Sequence, residues 1–341
     1  MVEKCGGEMK KFKIEKDPEL EDLLDKCKKK GLKFGLALGS GSARGLAHVG
    51  VIQVLEAYSI PIDMIAGTSI GSVIGSLYAS GASIEQLEEA ALSMKISKTL
   101  SLVDPALPHS GFIKGHRAVE ILNTIALKDK TFDDLDIPFA AVATIIENGT
   151  EAIMNRGKVI DAVRASISIP GIFTPVKYQD YYLVDGGLVN PVPVDVTKNM
   201  GANIVIAVSL AKIRSQTVTL DMNNATNDKV AINDKPKDLK IEIRSIINQK
   251  IEEAKSSFKA PRIFEIITQT IDIMESKIIE KSIEGADIVI VPFGLNNVHD
   301  FDFNKGEQLI RGGIDSTLIK IPEIKAVLKE KLKQKNKSTG K

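Results

Sequence analysis

Gly67-Thr68-Ser69-Ile70-Gly71 sets a serine inside the G-x-S-x-G pattern of a nucleophile elbow. The apolar run before it, residues 60–65, reads as a buried strand, and residues 73–79 read as a helix of small and apolar side chains. In that setting the turn lifts the hydroxyl clear of the sheet. Gly67 and Gly71 remove side chains that would collide where strand and helix crowd together. A tight βα turn around a buried serine is the other reading of the same residues. A serine hydroxyl also needs a base before it can attack a carbonyl. Asp185, in Asp185-Gly186-Gly187, presents a carboxylate on a tight turn, although turns of that composition occur without any chemistry. Ser69, Asp185 and His299 satisfy the chain order of an α/β-hydrolase triad, but nothing else marks the loop that holds His299. His48, His109 and His116 belong to no motif of their own.

Gly39-Ser40-Gly41-Ser42-Ala43-Arg44-Gly45 admits three chemistries. A dinucleotide loop wants glycine where this chain has Arg44, and a Walker loop wants a Gly-Lys-Ser/Thr ending that is absent. The third is an oxyanion hole, in which the main-chain N–H groups of Gly41, Ser42 and Ala43, at a helix start, face a developing negative charge. A serine elbow requires such donors, and this reading is preferred. Arg44 then anchors the loop or draws an anionic substrate.

These groups must be positioned by the elements around them. Residues 33–38 form an apolar strand, the glycine-serine loop follows, a helix runs from about 46 to 58, and a second strand leads into Ser69. That is a βαβ unit with parallel strands and a right-handed crossover. Loops at the carboxyl ends of such strands converge on one crevice, which puts the 39–45 loop and Ser69 on the same sheet edge. An amphipathic helix opens at Asp17-Pro18, and Ser83 with Gln86 resembles a capping box. Residues 116–126 suggest a helix and 139–144 a buried strand, with a hairpin turn at Asn148-Gly149. A helix at 159–168, a hairpin at 175–184 and a strand at 203–209 complete the core. Residues 212–240 lose periodicity in a run of Asn and Asp. A helix is expected at 261–283 with Phe264, Ile267, Ile271, Met274 and Ile278 as its apolar stripe, then a strand at 286–292 and two helices at 307–319 and 324–332.

Composition narrows the function classes. With 341 residues and 43% hydrophobic content, the chain can bury one large α/β domain. A net charge of +1, no Trp and 5% aromatics argue against a nucleic-acid binder. Two cysteines, Cys5 and Cys27, and four scattered histidines give no metal-ligand spacing, and no metal or cofactor is expected. No apolar run reaches membrane-spanning length, the first 16 residues carry charges rather than an apolar h-region, and sparse cysteine suits a reducing compartment. A cytoplasmic location is expected.

Taken together, the 39–45 loop, the Ser69 elbow and Asp185-Gly186-Gly187 resemble the patatin-like phospholipase family, and more closely its bacterial branch related to neuropathy target esterase. Ala47-His48-Val49-Gly50-Val51, Arg164-Ala165-Ser166-Ile167-Ser168-Ile169-Pro170-Gly171 and Val189-Asn190-Pro191-Val192-Pro193 match that branch as well. The resemblance spans about residues 33–211, with a weaker echo over 286–313. It implies a three-layer α/β/α fold with a mainly parallel central sheet, and a Ser-Asp dyad that uses no histidine. Ser69 is then the nucleophile, Asp185 the general base, and Gly41, Ser42 and Ala43 the oxyanion hole. Gly39, Arg44, Gly45, Gly67, Gly71, Gly186 and Gly187 support these loops. Where the family commonly has glycine this chain has Ser40 and Ser42, and a positive φ at either would be strained. The implied partner is a lipid or fatty-acyl ester, with peripheral contact at a membrane left open. Ile70, Ile169 and Phe173 are expected to line an apolar crevice. A catalytically weak regulatory or interaction module is the competing reading. The expected layout is an N-terminal extension with a short helix (1–32), a catalytic core (33–211), a polar loop and helical insertion (212–260), a C-terminal part of the same domain (261–320) and a lysine-rich tail (321–341) that reads as solvated from Lys325 on.

Overall fold

Strands buried on both faces need helices above and below them, and near-continuous apolar strands therefore point to a covered parallel sheet. The computed structural model describes residues 17–93, 126–210, 263–296, 298–299 and 302–339, and it has that arrangement. β1 (Phe34–Leu38), β2 (Met64–Thr68) and β7 (Ile204–Val208) are buried at every position. With β3 (Phe139–Ile145) and β8 (Ile288–Ile290) they form a parallel run in the order β3-β2-β1-β7-β8. β4 (Thr150–Met154), β5 (Val176–Tyr178) and β6 (Tyr181–Asp185) add antiparallel pairings on the β3 side.

Side chains alternate across the sheet. Leu36, Leu38, Ile65, Ile204 and Ile206 point into the larger core. That core is built against α1 (Pro18–Lys29), α2 (Ala47–Ala57), α3 (Ile70–Ala79), α4 (Ile84–Ser93) and the last helix. Ala37, Val205 and Ala207 face the other way, with Val192, Val194 and Ile279, and Ala66, Ala140 and Val142 meet Val196. This second face is covered by α6 (Val194–Asn199) and by part of α7 (Ile263–Ser282). The small alanines let α6 approach the strands closely. The result is the expected three-layer α/β/α arrangement.

One detail of the pairing brings the chemistry together. β2 runs beside β3 until Thr68 stands opposite Val142. At the next position Ala143 pairs instead with Asp185 of β6. β4 occupies the opposite edge of β3 over the same residues, so β6 must take over the edge that β2 leaves. Ser69, the residue after Thr68, therefore departs where Asp185 arrives.

The capping box at Ser83 and Gln86 is present, as are the turn at Gly149 with φ 70 and the hairpin turn at Gln179 with φ 53. α5 (Val159–Ser166) ends two residues earlier than expected. Two expectations about the C-terminal region are corrected. Instead of separate helices at 307–319 and 324–332, one helix, α8 (Gly306–Thr339), continues through Pro322. The lysine-rich tail is not simply solvated either, because Ile321, Ile324, Leu328 and Leu332 are buried along that helix. Their apolar contacts outweigh the hydrogen bond that proline removes. The stripe expected on residues 261–283 is also displaced: Met274 is 53% exposed, and Ile279 is the buried residue. The chain divides into one compact unit of residues 1–212 with 270–341 and another of residues 213–269. The described residues from Asp17 to Leu32 and from Ile321 to Thr339 fall in the first unit. The charged leader, Cys5, His109, His116, the 116–126 helix and the 212–260 insertion lie outside the described residues.

Candidate active site

Ser69 sits at φ 53, ψ −121, between the last residue of β2 and the first of α3. A non-glycine residue at positive φ is held there by its surroundings, not by its own preference. Its N–H donates to Ser166 Oγ at 2.9 Å, and Ser166 Oγ donates to the Val142 carbonyl at 2.6 Å. Its carbonyl accepts from Ser72 Oγ at 2.6 Å. The backbone of the turn is thus tied on both sides, and the hydroxyl is the part left to act. Gly71 is required because a Cβ there would strike the Leu38 carbonyl, and Gly45 because one would strike the Ile70 side chain.

Ser69 Oγ donates to Asp185 Oδ2 at 2.5 Å, while Asp185 Oδ1 accepts the Gly187 N–H at 2.8 Å. Thr144 Oγ1 donates to the Asp185 carbonyl at 2.8 Å and anchors the strand end. Ser69 is 5% exposed and Asp185 4%. Burial disfavours a bare carboxylate and pushes the Asp185 carboxyl up from 3.8 to about 6, against the lowering effect of the Ser69 and Gly187 hydrogen bonds. Among the described residues no histidine hydrogen-bonds to either side chain. His48 is buried, with Nε2 2.9 Å from the Gly39 carbonyl, and burial lowers it to about 4. It is a neutral structural residue that steadies the loop. His299 is exposed, and its backbone N–H donates to Asp302.

The 39–45 loop leads into a 3-10 turn, Ser42–Leu46. The N–H groups of Gly41, Ser42 and Ala43 make no hydrogen bond among the described residues, as expected of donors at the first turn of a helix. Gly41 has φ 153, and a Cβ there would press on Leu210 at 2.7 Å. Ser42 does adopt the strained φ, at 51, whereas Ser40 does not. Gly39 lies against the Val208 carbonyl, and a Cβ there would stand 2.7 Å from it. Of the alternatives for Arg44, the structure favours anchoring: Nη1 and Nη2 meet the Asp272 carboxylate at 3.1 and 2.6 Å.

Three further participants have no role assigned to them by the sequence reading. Ser166 holds the Ser69 backbone from α5. Asp272 and Glu275 come from α7, over two hundred positions along the chain from the loop they touch. Glu275 Oε2 accepts from Ser40 Oγ at 2.7 Å. Burial, and next the charge of Asp185, push the Glu275 carboxyl up from 4.5 to about 8. The available signal was a pair of carboxylates three apart in a helix otherwise read by its apolar stripe. Ile70 is buried beside Gly45, whereas Ile169 and Phe173 are partly exposed after α5, with the Arg164 guanidinium 5.6 Å above the Phe173 ring. No group of side chains that could hold a metal ion occurs among the described residues.

A family model described as patatin-like phospholipase matches residues 36–198. An uncharacterised NTE family protein of Mycobacterium tuberculosis is 36% identical over 178 residues, covering 52% of this chain and 49% of that protein. Lysophospholipase NTE1 of Candida albicans is 34% identical over 189 residues, covering 54% of this chain and 13% of that protein. The chain thus spans about half the length of the mycobacterial relative and a small part of the fungal one. Among solved structures, VipD from Legionella pneumophila aligns with a TM-score of 0.50 over 88% of this chain and 67% of that chain. At 13% identity this is a likeness of fold alone.

Proposed function

We propose that this chain, which carries a patatin-like phospholipase domain over residues 36–198, is a serine lipid acyl hydrolase working through Ser69 and Asp185. The observation that carries the proposal is the 2.5 Å contact between Ser69 Oγ and Asp185 Oδ2, beside three main-chain donors with no partner among the described residues. Ser69 Oγ attacks the ester carbonyl carbon and Asp185 takes its proton. The carbonyl electron pair moves onto oxygen, where the Gly41, Ser42 and Ala43 amides stabilise it; losing one such donor costs on the order of 3 kcal/mol of barrier. Collapse expels the alcohol, which takes the proton from Asp185 and leaves an acyl-enzyme. Water then attacks the acyl carbon, gives its proton to Asp185, and the fatty acid departs as that proton returns to Ser69. A base near 6 suits this work better than an ordinary aspartate, since it is ionised at neutral pH yet basic enough to accept.

A lipid ester is the proposed substrate class, of phospholipase A, lysophospholipase or carboxylesterase type. The name of the fungal relative supports it, as do the apolar residues Ile70, next to Ser69, and Ile169, next to the Ser168 whose carbonyl accepts the Asp185 N–H. Such a substrate implies peripheral contact with a lipid surface, and no helix among the described residues is long and apolar enough to cross a membrane. The proposed location is cytoplasmic, in keeping with the buried free thiol of Cys27. The low exposure of Ser69 favours a second reading, a catalytically weak regulatory module.

Hydrolysis of p-nitrophenyl esters of graded chain length by the wild type, Ser69→Ala and Asp185→Asn decides between them. The hydrolase turns over long-chain esters and loses that activity in both variants. Equal product release by all three ends the proposal. A fluorophosphonate probe labels a working Ser69 and leaves a dead site unmarked.

A further inference from the structure

Ser40 and Arg44 stand immediately before and after the three main-chain donors, and both are held by one helix. Ser40 Oγ donates to Glu275 Oε2 at 2.7 Å, and the Arg44 guanidinium grips the Asp272 carboxylate through two nitrogens. Asp272 and Glu275 are three residues apart, hence on one helical face, and Ile279, a turn further on, is buried in the core. The Arg44 side chain is 3% exposed and that of Asp272 14%, so the ion pair is withdrawn from water. A paired guanidinium and carboxylate in that setting resist separation, because parting them strands a buried charge. The same face reaches the base as well. A Cβ on Gly187 would overlap Glu275 Oε1, so the glycine leaves room for that carboxyl beside the turn after Asp185.

The loop needs such a hold. Gly41 at φ 153 and Ser42 at φ 51 form a backbone that a serine does not choose, and such a conformation persists only where the surroundings over-determine it. We propose that Asp272 and Glu275 are positioning residues which brace the 39–45 loop at both ends and so aim the Gly41, Ser42 and Ala43 amides. The effect on catalysis rests on the hydrolase reading above, while the effect on the loop does not. Among the described residues, the charged and titratable groups that face Glu275 are Asp185, Asp272 and Arg44. Burial and the two neighbouring carboxylates keep Glu275 protonated at neutral pH, and Ser40 binds its carbonyl-type oxygen in either state. Glutamine therefore copies the working form.

The test compares Glu275→Gln, Glu275→Ala, Asp272→Ala and Ser40→Ala with the wild type. Three measurements are made on each: amide hydrogen exchange over residues 39–45, ester kcat and KM, and Tm. Glu275→Gln is expected to keep wild-type exchange and turnover. Glu275→Ala and Asp272→Ala should speed exchange in the loop and lower kcat about tenfold with KM nearly unchanged, a partial loss of oxyanion donors. Ser40→Ala cuts the same tie from the loop side with little change in volume, and should reproduce the Glu275→Ala pattern even if that variant folds poorly. Unchanged loop exchange in the folded alanine variants overturns the brace, and so does a glutamine variant that falls as far as alanine. A wild type without turnover, together with faster loop exchange in the alanine variants, removes the hydrolase reading and leaves the brace standing. Equal kcat and equal exchange in wild type and alanine variants does the reverse.

Discussion

On the mechanism proposed above, burial of Asp185 sets the pH at which the Ser69–Asp185 pair works. With the carboxyl raised to about 6, the base is protonated and idle in mild acid. The log of kcat/KM is expected to rise with pH and level off above about 6, where an unperturbed aspartate would level off near 4. A pH profile flat from 4.5 upward would contradict the buried base. The same burial has a cost in stability whose sign can be worked out. The folded values of Asp185 and Glu275, about 6 and about 8, lie above the ordinary 3.8 and 4.5, so the folded chain holds protons that the unfolded chain has released. Stability contributed by these groups is therefore intact in acid and lost as pH rises toward 8. His48, lowered from 6.5 to about 4, acts in the opposite sense and costs stability as pH falls below 6.5. Glu275→Gln should narrow the fall in Tm between pH 6 and pH 9, measured by thermal melts in matched salt. The residues that announce themselves in the sequence, Ser69, Asp185 and the loop glycines, do so because each motif encodes its own backbone geometry. Asp272 and Glu275 encode nothing local. Their importance comes from what they meet.

Among the elements, α8 departs furthest from what its sequence suggests. Pro322 is a stop signal in a peptide, and it falls between the two helices expected at 307–319 and 324–332. Packing overrules that signal, because Ile321, Ile324 and Leu328 are buried on either side of the proline. Replacing Leu328 by alanine should destabilise the fold by about 2–5 kcal/mol, whereas alanine at the exposed Lys333 should cost no more than about 0.5 kcal/mol. Chemical denaturation of the two variants checks this, and equal midpoints would mean that the tail is not part of the core. By contrast, the short strands were largely legible, although β2 starts at Met64 and not at residue 60. Runs such as Ile204–Val208 leave no polar residue to face water, which dictates coverage on both sides. α7 was legible as a helix but not in its facing, since two of its inward residues are carboxylates.

For the molecule as a whole, the decisive event is the handover along one edge of β3 from β2 to β6, which joins residues 116 positions apart. No period or motif reveals that an edge is shared, so the meeting of Ser69 and Asp185 could be expected only from the family resemblance. The last helix closes the structure from behind. Gly50 of α2 and Gly313 of α8 bring the two helices into backbone contact, since a Cβ on Gly50 would strike the Ile310 carbonyl and one on Gly313 the Ala47 carbonyl. α2 is the helix that continues from the oxyanion-type loop. At its far end α8 is tied to the first described helix, with Lys325 bonded to Asp17 and Glu19, and Lys329 to Glu19. A ribosome delivers residues in order, so a nascent chain can hold both Ser69 and Asp185 and still lack the wall against which α2 must lean. On the hydrolase reading proposed above, the centre is thus completed by residues more than a hundred positions beyond the two side chains that would react, since α2 leans on α8.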